Sequence, residues 1–152
     1  MGFRFSLETV LRLRRSLEDS ERLRLQTLLA GRSQLQREIG KTIESRAAID
    51  EKLKASLQQE RLSGSEMQFA GQRLTACDLQ TARLHLSVAT VTQQVERQQS
   101  LLLRRRIDRK VLEQLRERQR ADYEAEAQHR DQSQVEEMFL LRRARGKLAT
   151  SN

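Results

Sequence analysis

The chain has 152 residues, neither proline nor tryptophan, 3% aromatic and 33% charged side chains, and a formal net charge of +8. So few large apolar groups exclude an ordinary globular core and, with it, the concave pocket that an enzyme needs. The single cysteine, Cys77, excludes an internal disulfide framework, and the basic balance suits acidic protein, nucleic acid or anionic membrane without choosing among them.

The first helix is predicted to start at Ser6, whose hydroxyl can cap the first turn, with Phe5 and Val10 placed to close a hydrophobic staple. Leu7, Leu11, Leu25, Leu28, Leu35, Ile39, Ile49 and Leu53 then fall at three- and four-residue steps, one stripe along a helix. Arg14, Glu18 and Glu21 occupy that frame where apolar residues would pack best. Val10, Leu13 and Leu17 lie one position away, so the seam is expected to shift there. Gly31 and Gly40 each weaken the helix by about 1 kcal/mol relative to alanine and mark bends.

Leu62-Ser63-Gly64-Ser65 reads as a turn, the one Ser/Gly cluster between two long periodic stretches. Ser65 and Gln68 have capping-box spacing. In the second helix Met67, Ala70, Leu74, Cys77, Thr81, Leu84, Val88, Val91, Val95, Gln98 and Leu102 hold successive core positions of a heptad repeat. That repeat argues coiled coil rather than disorder. Arg105 and Arg109 interrupt the frame, Leu112, Leu115 and Tyr123 resume it, and Gly146 is a natural stop.

The expected fold is all-α: a single coiled-coil domain over 1–152, a long two-helix antiparallel hairpin with a helix over about 7–62, a turn at 63–65 and a longer helix over about 66–145. Reflection about Gly64 pairs Leu53 with Leu74, Ile39 with Val88, and Leu28 with Gln98 and Leu102. From about Asp122 onward the second helix overhangs the first. Charge is uneven along it: arginines crowd residues 101–120, acids dominate 121–137, and Arg142, Arg143, Arg145 and Lys147 make the end basic.

No catalytic, cofactor or metal site is expected. Cys77 reads as a small buried hydrophobe, and His85 and His129 as solvated surface residues too far apart for a local metal site. Gly64 lacks the Gly-Lys-Ser/Thr that a phosphate loop would need. The start, Met-Gly-Phe-Arg-Phe-Ser, shows no apolar signal region, and Leu101-Leu102-Leu103 is far short of the roughly 20 residues that span a bilayer, so a cytoplasmic location is expected.

Function should therefore reside in surfaces. The arginines from Arg104 to Arg120 read either as a solvated face, with Glu113–Arg116 and Glu117–Arg120 pairs, or as a docking surface for an acidic partner. Binding of nucleic acid is opposed by the following acidic stretch and the scarcity of stacking aromatics, though a basic coiled-coil nucleic-acid binder is one alternative. Phe3, Arg4 and Phe5 read as end packing or an inserting tip, and Leu62 and Phe69 as packing or a recognition patch beside the turn.

The opening Phe3-Arg4-Phe5-Ser6-Leu7-Glu8-Thr9-Val10-Leu11-Arg12-Leu13-Arg14 resembles the start of the FliJ family. Lys110-Val111-Leu112-Glu113-Gln114-Leu115-Arg116-Glu117-Arg118, followed by Tyr123 and Glu136-Glu137, resembles its C-terminal signature. The resemblance implies a non-enzymatic central stalk of the flagellar type III export apparatus. Such a stalk sits in the pore of the hexameric export ATPase, promotes its ring, contacts the export gate membrane protein and binds export chaperones, at the cytoplasmic face of the inner membrane. It implies no cofactor, small-molecule substrate or nucleic acid. On this sequence the candidate ATPase-binding residues are Arg14, Arg104, Arg105, Arg109 and Arg116, and the candidate gate-binding tip is Leu62 and Phe69. The equivalent stalk of an injectisome secretion ATPase is the nearest alternative.

Overall fold

The computed structural model describes residues 3–61 and 63–149, side chains at 144 and 146–149 excepted. Two helices make the fold, α1 (Glu8–Gln58) and α2 (Gly64–Ala149). They pack as a hairpin in which the second helix is the longer. Both stripes are where the heptad spacing puts them. The α1 stripe residues from Leu7 to Leu53 are buried or half-buried, as are those of α2 from Ala70 to Leu102; Met67 is exposed.

The expected shift of the α1 seam does not occur. Arg14 is half-buried and Glu18 and Glu21 are buried, whereas Val10 and Leu13 are exposed and Leu17 is half-buried. A one-residue shift would turn the stripe by about 100° away from the apolar residues on either side of it. The frame is kept instead, and its charged members are met by partners. Gly31 and Gly40 do not interrupt α1, and both stand in open space.

Leu62 lies outside the described residues. The turn is made before Gly64. Arg61 N–H donates to the Ser56 carbonyl at 3.3 Å and Glu60 N–H to that of Leu57 at 3.2 Å, the double bond of a Schellman C-cap. That cap needs a left-handed residue, and Glu60 supplies it at φ 50°. Replacing Glu60 by glycine should therefore stabilise the fold by about 0.5 kcal/mol, read as a higher urea midpoint at 222 nm. An unchanged or lower midpoint would show that Glu60 makes compensating contacts.

Helix α2 opens on a capping box one step earlier than the Ser65–Gln68 expectation. Ser63 N–H donates to Glu66 Oε2 at 2.9 Å, and Glu66 N–H donates back to Ser63 Oγ at 3.3 Å. The carboxylate is the stronger acceptor, and these bonds, the backbone one first, hold Glu66 below the usual carboxylate range. The turn is made ahead of Gly64, yet Arg15 meets Glu113 as reflection about Gly64 pairs them, while Arg46 meets Asp78 and Arg14 meets Asp108 four and six residues off that reflection. Gln98 Nε2 meets Glu21, one heptad before Leu28.

The chain divides into two units, one of residues up to Leu17 and from Arg105 onward, the other Glu18–Arg104. In the second unit Ile39 and Val95 are the buried apolar residues. Thr42, also buried, returns its hydroxyl to the Glu38 carbonyl at 2.9 Å. Gln98 bonds Glu21, and Arg46 bonds Asp78 at 2.5 Å, so positions descend in α1 as they rise in α2. In the first unit Leu11 is wholly enclosed and Phe5 is buried.

Candidate partner-binding surface

The first unit carries both chain ends. Its α1 begins at Glu8, two residues after Ser6, with the first turn closed by backbone: Glu8 N–H to the Phe5 carbonyl at 3.3 Å and Leu11 N–H to that of Leu7 at 2.9 Å. Of the two staple residues Phe5 is buried and Val10 is 39% exposed. Phe3 and Phe5 line a groove with Arg116, Arg120 and Tyr123, and the Phe3 ring lies 5.9 Å from that of Tyr123, tilted by 49°. That spacing is favourable for an edge-tilted aromatic pair.

Three arginines of this unit pair across the helix–helix seam. Arg14 pairs with Asp108 at 3.0 Å, Arg15 with Glu113 at 2.9 Å, and Arg116 reaches Glu8 at 3.7 Å. Glu113 also receives Arg109 from one turn back in α2. The pairs expected from spacing, Glu113–Arg116 and Glu117–Arg120, give way to these cross-helix partners and to Arg120–Glu124 at 2.8 Å. Arg15 first, then Arg109, holds the Glu113 carboxyl below its ordinary range. Arg105 is half-buried, and its Nε is enclosed without a partner. Arg104 belongs to the other unit and is exposed.

With the seam running through Arg109, Leu112 and Arg116, Leu115 is left on the outside. It joins Ile107 and Val111, at steps of four, in an exposed apolar strip on the outward side of α2. Lys110 and Arg118 are exposed beside it. The four-residue ladder is present in the sequence, but the weight of neighbouring arginines hides it.

In the other unit, beside the turn, Phe69 is 63% exposed and borders a groove with Ile49, Leu53, Ala70 and Arg73. Leu62, its expected companion, is not among the described residues. Cys77 is half-buried in the seam. Among the described residues no three His, Cys, Asp or Glu side chains converge as metal ligands, and no helix is long and apolar enough to cross a membrane.

The model of the family described as flagellar FliJ protein matches residues 3–148. The chain belongs to the FliJ family. Membership makes it a flagellar export stalk protein, a structural component that works with the export ATPase and export apparatus. No curated protein and no solved structure matches this FliJ-family chain.

Proposed function

We propose that this FliJ-family chain is the central stalk that occupies the pore of the hexameric export ATPase, promotes ring assembly and links the ring to the membrane export gate at the inner membrane. The observation that carries the reading is the strip Ile107, Val111 and Leu115, exposed between Lys110 and Arg118 in the unit that holds both termini. Apolar residues edged by cations suit an interface with a dry centre and a charged rim, and the positive sign favours an acidic partner surface.

Arg14, Arg109 and Arg116 serve this reading by fixing the helices behind the strip, and Arg104 supplies a further exposed cation. Arg105 belongs with the seam group. Phe69 is the aromatic contact for the gate, and export chaperones are the remaining partner class.

The test uses residues that the fold does not need. Ile107→Glu with Val111→Glu should weaken binding to purified export ATPase at least tenfold, about 1.4 kcal/mol, with helicity unchanged. Arg104→Glu should mainly slow association and reduce its salt dependence. Wild-type affinity and ring assembly with the double variant would remove this surface from the mechanism.

A further inference from the structure

The described chain begins at Phe3, whose ring meets Tyr123, yet α2 continues to Ala149, about seven turns further. In that stretch Val135, Met138, Phe139, Leu140 and Leu141 are 55–67% exposed. Val135, Met138, Phe139 and Arg142 recur at i, i+3, i+4 and i+7, which puts them on one face. Soluble helices seldom leave such a cluster uncovered.

Charge indicates what covers it. Glu136 and Glu137 fall within the cluster's first half, with Asp131 one turn before them; Arg142 and Arg143 follow directly after it. A second copy laid antiparallel, with the two-fold axis near Phe139 and Leu140, sets the acidic turn of each copy against the basic turn of the other. Both contacts are made by the same pairing, as an isologous interface requires. A parallel copy would oppose acid to acid and base to base. An anionic lipid surface would draw the arginines but repel Asp131, Glu136 and Glu137. With that axis residues 130–149 of the two copies overlap, a little under three heptads of helix.

We infer that the end of α2 is a self-association surface on which two copies of this chain pair antiparallel through Phe139 and its apolar neighbours, each copy's Glu136–Glu137 facing the other's Arg142–Arg143. This goes beyond the proposed ATPase contact, which uses other residues.

Sedimentation velocity on the full chain tests it, at concentrations up to the order of 100 μM, far above a micromolar Kd. Wild type should pass from monomer to dimer, and Phe139→Asp should weaken the dimer at least tenfold. Glu136→Arg/Glu137→Arg alone and Arg142→Glu/Arg143→Glu alone should each be monomeric, and their equimolar mixture should dimerise again. A change that merely damaged the helix would not be rescued by mixing. A monomeric wild type, a dimer indifferent to Phe139→Asp, or mixed variants that stay apart would overturn the inference. So would monomeric wild type binding phosphatidylserine vesicles through Phe139, which would assign the face to membrane.

Discussion

Replacing Gln98 by leucine should destabilise the hairpin by about 2–3 kcal/mol, although leucine is the better coiled-coil core residue. Gln98 Nε2 donates to Glu21 twice, to its carbonyl at 3.1 Å and to its carboxylate at 2.6 Å. Glu21 is only 5% exposed, and its other partner, Arg24, lies at 3.3 Å on the outer side. Leucine would gain apolar contact but leave a buried carboxylate with one partner fewer, and the desolvation cost of that charge exceeds the gain. Urea unfolding followed at 222 nm reads the difference. The double variant Glu21→Leu/Gln98→Leu should recover wild-type stability or exceed it, because an apolar pair replaces the polar one as a whole. A neutral single variant would mean that Glu21 does not depend on Gln98.

The same pair bears on register. A heptad stripe fits its neighbour almost as well after a slip of seven residues, so apolar spacing alone leaves the pairing degenerate. A slip of seven residues would carry Gln98 away from Glu21. The bond satisfies the buried Glu21 carboxylate with the half-buried Gln98 amide, so the Glu21–Gln98 contact disfavours the slipped registers. The double variant, though stable, should be less specific: cysteine pairs placed to report the two registers should both cross-link in it, and only one in the Gln98-containing chain.

That degeneracy explains what was legible in the sequence. Both stripes, the two-helix class and the greater length of α2 followed from three- and four-residue steps, which depend on local geometry. The position of the turn did not, because the end of α1 is set by Glu60 in a left-handed conformation that no glycine announces. The shift of frame expected near Arg14, Glu18 and Glu21 was wrong for a related reason. Polar residues in a seam look like misfits until their partners across it, Asp108 and Gln98, are known. At the candidate surface the arginines were visible as a cluster, but spacing along one helix could not reveal that Arg14 and Arg116 are engaged by carboxylates of the other. The exposed strip of Ile107, Val111 and Leu115 emerges only once the seam beside it is fixed.

Glu113 joins three of these elements, and its replacement by glutamine should cost about 1–1.5 kcal/mol at neutral pH. Its Oε1 accepts from Arg15 Nε at 3.3 Å and Nη2 at 2.9 Å, while Oε2 accepts from Arg109. One carboxylate thus ties α1 to α2 and holds a seam arginine in place. Arg15 is 45% exposed, which keeps the magnitude modest through solvent screening. The bond from Arg15, reinforced by Arg109, depresses the folded-state affinity of Glu113 for a proton. The stabilisation is therefore complete above the ordinary glutamate value of about 4.3 and is lost as pH falls through the lower folded value. Thermal melting across that window should show the wild type falling more steeply than Glu113→Gln, with the two curves converging once the wild-type carboxyl is protonated. Parallel curves would mean that the arginines do not favour the ionised form. Because Ile107 and Val111 lie on the same stretch of α2, the variant should also bind export ATPase less tightly where it is destabilised, and equally well once the helix pair is held by a cross-link between α1 and α2.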